Sequence, residues 1–249
     1  MVLQLRQRLL AMQRAPGLED GSATLPLGIS AIDAVLGGGL LRGALHEIAA
    51  PGETHLVAVA GFALGLTKLI APSPRFFWIV EDMALAESGA LYGAGFNAFG
   101  LTPERQVTVS VAHRRDLLWV MEEVLHCRAV DVVIGEIRGG EINSVAVRRL
   151  SYAAAKNGGL ALLLRASPSS GASTATTRWI VSTAPSAGSH GPGAPRFAAQ
   201  LIRNRRGPVG SWILEWSYRN AQFILATHAQ PMAAPVFDRP YSQAAREIA

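Results

Sequence analysis

One cysteine, Cys127, stands in 249 residues, so no internal disulfide can form and a reducing compartment is expected. Charged residues are scarce at 16%, and lysine is nearly missing: only Lys68 and Lys156 occur among 23 basic residues. The longest uncharged apolar stretch, Leu56 to Leu66, is closed off by His55 and Lys68. It falls short of the ~20 residues that cross a bilayer, so a soluble protein without a membrane span is expected. Met1 to Met12 carries Arg6 and Arg8 inside its apolar run and offers no A-x-A cleavage site, which argues against export. Bacterial cytoplasm is the simplest address, with an Arg-rich mitochondrial presequence as the alternative. C-x-x-C, H-E-x-x-H, G-x-S-x-G and a G-x-G-x-x-G after the first strand are all absent, and the six histidines lie scattered. No metal site and no catalytic residue are therefore assigned.

What is present fits one folded core. Hydrophobic residues make up 49%, with 25 glycines and 14 prolines. The expected division is an N-terminal helix and linker over 1–24, a core domain over 25–229 and a tail over 230–249, the last with three prolines. Residues 1–177 hold 15 basic against 15 acidic side chains and residues 178–249 hold 8 against 3, so the whole net charge of +5 lies in the last stretch. Arginine suits bidentate phosphate or carboxylate contacts, although the base composition of the gene accounts for its excess equally well.

Val2, Leu5, Leu9 and Met12 fall at helical spacing, and their stripe packs either on its own core or on a neighbouring protomer. Strands are then expected over Ala44–Ala49, Phe76–Val80, Gln106–Val111, Val130–Ile134 and Leu160–Leu164. They alternate with helices over Thr54–Ile70, Leu85–Phe96, Arg115–Cys127 and Ser144–Lys156. Continuously apolar strands alternating with helices give an α/β fold whose mostly parallel sheet carries helices on both faces. Ala166–Thr177 and Ala184–Pro195 read as polar, small-residue loops. Arg196–Asn204, Ser211–Tyr218 and Ala221–Thr227 follow as strands joined by short turns, an antiparallel C-terminal meander. Trp212 and Trp216, four apart on one strand, face the same side and read as core.

The informative segment runs from Leu27-Gly28-Ile29 through Asp33 to Leu36-Gly37-Gly38-Gly39-Leu40, then Arg42-Gly43 and Leu45-His46-Glu47-Ile48. It resembles the approach to the phosphate loop in the RecA/RadA ATPase core. A phosphate loop G-x-x-x-x-G-K-S/T supplies backbone N–H groups, a lysine charge and a hydroxyl for Mg²⁺. Here the chain reads Ala49-Ala50-Pro51-Gly52-Glu53-Thr54-His55-Leu56, without the lysine or the second glycine and with a carboxylate where phosphates would lie. Pro51, Gly52, Glu53 and Thr54 are therefore expected to be a vestigial nucleotide site. Glu136, closing the run Val130–Glu136, stands where the resemblance places the strand-end Asp; a solvated glutamate is the favoured reading. Arg165 stands where the family has a nucleotide-sensing Gln. The resemblance makes Ala166–Thr177 the second DNA-binding loop, yet it holds no Lys or Arg, and only Arg165 and Arg178 flank it. Arg203-Asn204-Arg205-Arg206, with Arg196 on the same strand, resembles the K-N-K segment that reaches a neighbouring protomer's nucleotide. Remnant protomer interface, DNA-phosphate contact and docking of an acidic partner all stay open for it.

The runs Leu117–Glu123, Leu162–Arg165, Thr177–Trp179 and Arg203–Trp212, set in a RecA-like core without the lysine, resemble the ImuA family. The resemblance covers Leu25 to about Thr227. It implies a non-catalytic accessory of SOS mutagenesis and translesion synthesis, with no ATP or Mg²⁺ cofactor. The partners it implies are ImuB, a Y-family polymerase homologue, together with RecA and the error-prone replicative polymerase α subunit. DNA contact would be weak, and a homo-oligomer is open. Two other readings stand beside it: a DNA-binding or DNA-stimulated RecA/KaiC-like ATPase with a divergent phosphate loop, and an SOS-induced cell-division inhibitor.

Overall fold

The computed structural model describes residues 23–226, apart from 170, 172 and 187–192. The stripe Val2–Met12 and the tail from 230 lie outside the described residues, as does the middle of the second polar loop. Eleven strands and six α-helices are described: β1 (Thr24–Leu25), α1 (Ser30–Val35), β2 (Leu40–Leu41), β3 (Leu45–Ala49), α2 (Leu56–Ile70), β4 (Phe76–Glu81), α3 (Asp82–Ser88), α4 (Gly93–Ala98), β5 (Gln106–Val111), α5 (Arg114–Leu125), β6 (Val132–Ile137), α6 (Ser144–Asn157), β7 (Leu160–Arg165), β8 (Thr177–Ala184), β9 (Arg196–Asn204), β10 (Gly210–Ser217) and β11 (Gln222–Leu225).

Nine strands form one sheet in the order β11-β10-β9-β8-β3-β7-β6-β4-β5, and β1 pairs with β2 as a separate ribbon. From β8 to β5 neighbouring strands run parallel; β8–β9, β9–β10 and β10–β11 are antiparallel. This is the expected mixed α/β sheet, parallel first and a meander last. β7 is buried at every position and β6 at all but one, which is why both read as continuous apolar runs.

Each face of the sheet has its own core. On one side α2 carries Phe62, whose ring sits 5.7 Å from Trp179, 6.1 Å from Phe197 and 5.3 Å from Phe223. Trp216 is fully buried in the same cluster, 5.1 Å from Phe223, and belongs to the core as read, whereas Trp212, 6.1 Å from Trp179, is half-buried and packs against the edge of the core. Gly61 and Gly65 let these rings approach α2: a Cβ on Gly65 would lie 2.3 Å from Phe223 Cζ. On the other side α5 and α6 bury Leu117, Met121, Leu125, Val147 and Leu150 against Ile79, Val133 and Leu163.

Three expectations need correction. The single helix over Leu85–Phe96 is two short helices, because Gly89 takes a left-handed φ of +79° and ends α3. β8 has no counterpart among the strands expected from the sequence. It alternates, with Trp179 and Val181 inward and Arg178, Ile180 and Ser182 on the other face, so it lacks the continuous apolar signature that Leu160–Leu164 gives β7. Finally, a 3-10 turn at Glu53–His55 extends α2, giving an 18-residue helical stretch with mean hydropathy 1.3 that is long and apolar enough to span a membrane. It packs instead as an interior helix, with Phe62, Ala63 and Leu66 buried against the sheet.

Candidate functional site

The site is built at the carboxyl ends of the parallel strands, where open α/β sheets bind ligands. Leading to it, Asp33 accepts hydrogen bonds from the backbone N–H of Leu27 (2.7 Å) and Gly28 (3.1 Å), fixing the chain into α1. Gly37, Gly38 and Gly39 then turn the chain with φ of +69°, +101° and +130°. A side chain on Gly39 would meet the Leu25 carbonyl at 2.3 Å, so that glycine is a packing requirement, while Gly37 and Gly38 are called for by their positive φ.

Only Ala50, Pro51 and Gly52 separate the end of β3 from the 3-10 turn that continues into α2. The Ala50 N–H donates to the Arg165 carbonyl at 2.9 Å, and the His55 N–H donates to the Gly52 carbonyl at 3.0 Å. Gly52 is extended, with φ −179°. Pro51, Glu53 and Thr54 are exposed and Gly52 is half-buried. His55 fastens this corner to β8: its Nδ1 accepts the Thr183 N–H at 3.3 Å and lies 3.0 Å from the Thr183 hydroxyl.

Glu136 is not the solvated carboxylate expected from the sequence. Its side chain is 12% exposed and held by three hydrogen bonds from two side chains. Trp78 Nε1 donates to one oxygen at 3.1 Å, while Arg138 Nη2 and Nε donate to the other at 3.0 and 3.2 Å. Arg138 also reaches Glu87 of α3 at 3.4 Å. Sequence reasoning missed Glu81, which closes β4 next to Glu136, and Asp82, which opens α3; the signal that singled out Glu136, an acid ending a buried strand, applies equally to Glu81.

The arginines singled out in the sequence divide into separate groups. Arg178 Nε meets Glu47 Oε2 at 2.9 Å, and its other nitrogens donate to the carbonyls of Ser169 and Gly171. Ser173 donates to Glu47 at 2.5 Å and Arg203 donates to the Ser173 carbonyl at 2.9 Å. The polar loop after β7 is thus tied down by Glu47, Arg178 and Arg203. Arg165 is also buried, on the same sheet face. Its Nη2 lies 3.4 Å from the Gly140 carbonyl, and its Nε has no partner among the described residues. Burial lowers its guanidinium pKa; Glu47 opposes the shift, and Arg178 and Arg114 add to it. Arg196 is committed to Glu215 at 2.6 Å.

Asn204 and Arg206 turn back onto their own chain. Asn204 Nδ2 donates to the Val35 carbonyl at 2.8 Å and Arg206 Nη2 to the Gly37 carbonyl at 3.3 Å, clasping the triple-glycine turn. Arg205 stands between them, its pKa lowered by partial burial and by Arg203. Among the described residues no group of three or more His, Cys, Asp or Glu is placed to hold a metal.

No protein-family model matches the chain. Among solved structures, the crystal structure of the RadB recombinase superimposes with a TM-score of 0.56 at 15% identity, covering 82% of this chain and 100% of that one. The sheet order, the helices on both faces and this match define a RecA-like fold. Within that fold the chain is homologous to the protein ImuA of Caulobacter vibrioides, curated from two strains. The identity is 28% over 218 residues, covering 80% of this chain and 86% of that protein.

Proposed function

We propose that this ImuA-like protein is a non-catalytic accessory factor of SOS mutagenesis, acting in the bacterial cytoplasm through protein contact. Its partners are an ImuB-type Y-family polymerase homologue, RecA, and the error-prone replicative polymerase α subunit. The observation that carries the reading is the connection from β3 to α2. Three residues lead straight into helical backbone, the Gly52 carbonyl is taken by the His55 N–H, and no lysine lies in the segment. A phosphate cradle needs a longer loop with free N–H groups and a cation. The turn carries the exposed carboxylate of Glu53 instead, with no lysine beside it. Like charges repel, so this segment does not fit nucleotide phosphates.

DNA contact is a minor part of this reading. Of the arginines beside the polar loop after β7, Arg178 and Arg203 are occupied by Glu47 and the Ser173 carbonyl and Arg165 is buried, while Arg196, at the other end of β9, is occupied by Glu215. Few remain free to release counterions from phosphates.

The test is complex formation. Purified protein mixed with an ImuB-type homologue should co-elute as a stable complex to the same extent with and without MgATP. A complex that requires MgATP, or none at any protein concentration, overturns the reading.

A further inference from the structure

From the mismatch between this site and the nucleotide that its fold implies, we infer that Arg138 is a built-in counter-ion: its guanidinium supplies from the chain itself the positive charge that Glu136 would otherwise take from a bound metal. The inference deepens the non-catalytic reading by naming what replaced the ligand.

A carboxylate this enclosed is costly unless its charge is met by a cation and its lone pairs by donors. Glu136 has both from its own chain. Arg138 is two residues further along, just past the end of β6, and places two nitrogens on one oxygen, while Trp78 from β4 supplies the donor for the other. The arginine side chain is itself only 21% exposed, so the pair is poorly screened by water. A guanidinium is always protonated and presents a planar fork of donors, so it serves as a permanent cation where a metal ion would come and go. Through Glu87 the same guanidinium also joins β6 to α3, whose first residue is the edge acid Asp82. Strand end, neighbouring strand and edge helix are therefore held in one arrangement whether or not nucleotide is present.

The consequence is that removing the guanidinium should make the fold answer to a divalent cation. Thermal melts of wild type, Arg138→Ala, Arg138→Lys and the double variant Arg138→Ala/Glu136→Gln would be compared with magnesium and with sodium at matched ionic strength. Wild type should melt at one temperature in both salts. Arg138→Ala should melt about 5–10 °C lower in sodium, as expected for a partly buried charge left unpaired. Magnesium should restore part of that loss, the double variant should restore most of it without magnesium, and Arg138→Lys should fall between. If Arg138→Ala does not fold, Arg138→Gln takes its place with the same expected pattern.

An unchanged melting point on removing Arg138, or a loss that magnesium does not touch, overturns the counter-ion assignment and leaves the non-catalytic reading standing. A wild-type melting point raised by MgATP overturns both.

Discussion

Glu47 and Arg178 face each other in register across adjacent parallel strands, Arg178 Nε 2.9 Å from Glu47 Oε2, with side-chain exposures of 5% and 12%. This pair fastens the polar loop after β7 to the sheet, because Arg178 also holds the carbonyls of Ser169 and Gly171 and Glu47 also accepts from Ser173. Removing one partner leaves a buried charge. Arg178→Met is expected to cost about 3–5 kcal/mol in urea unfolding, and Glu47→Leu combined with Arg178→Met should cost less than Arg178→Met alone. A double variant no better than the single one would mean that the charges are not coupled.

The aromatic core against α2 depends on the absence of a side chain at Gly65. A Cβ there would sit 2.3 Å from Phe223 Cζ, in a cluster where Phe223 also touches Phe62, Phe197 and Trp216. Gly65→Ala should destabilise by about 1–3 kcal/mol through overpacking, despite the better helix propensity of alanine. Adding Phe223→Leu should recover part of the loss, measured by the urea midpoint.

Buried His46 is bonded to the Thr177 hydroxyl at 2.7 Å and the Leu41 carbonyl at 2.9 Å. Desolvation is the main cause that lowers its pKa from 6.5 to about 4; the Leu41 hydrogen bond opposes the shift and Arg206 adds slightly to it. The unfolded chain therefore binds the extra proton first. Stability contributed by neutral His46 is complete above pH 6.5 and falls as the pH drops toward about 4, by up to about 3 kcal/mol. Comparing wild type with His46→Gln by urea unfolding at several pH values isolates this slope. An equally steep fall in both proteins would refute the assignment.

Within the basic cluster the clasp made by Asn204 is separate from Arg205, which makes no ion pair among the described residues. Asn204→Ala removes the donor to the Val35 carbonyl and should cost about 1–2 kcal/mol. Arg205→Ala should change stability by less than about 0.5 kcal/mol. Reversed magnitudes in parallel unfolding curves would show that the clasp is not what holds the triple-glycine turn.

Much of this architecture is legible in the residues. The runs Phe76–Val80 and Leu160–Leu164 are apolar throughout because those strands are covered on both faces, and the order of the strands with the intervening helices gives the parallel sheet. The homology and the fold match agree with the resemblance carried by the triple glycine and the Arg203–Trp212 run. β8 was hidden by its alternating pattern between two polar loops. The fate of the charges was also hidden: that Glu136 meets Arg138 two residues on, that Arg178 turns inward to Glu47 and that Arg206 bends back to Gly37 depends on side-chain direction and on contacts across as many as 169 residues. Spacing along the chain carries no such information.

The central claim is that the phosphate-loop position no longer serves a nucleotide. It is tested most directly by titrating labelled ATP into the purified protein with and without Mg²⁺, with RecA as the positive control. The account predicts no saturable binding and no turnover up to millimolar ATP. Saturable, Mg²⁺-dependent binding, or hydrolysis abolished by Glu136→Gln, would contradict it.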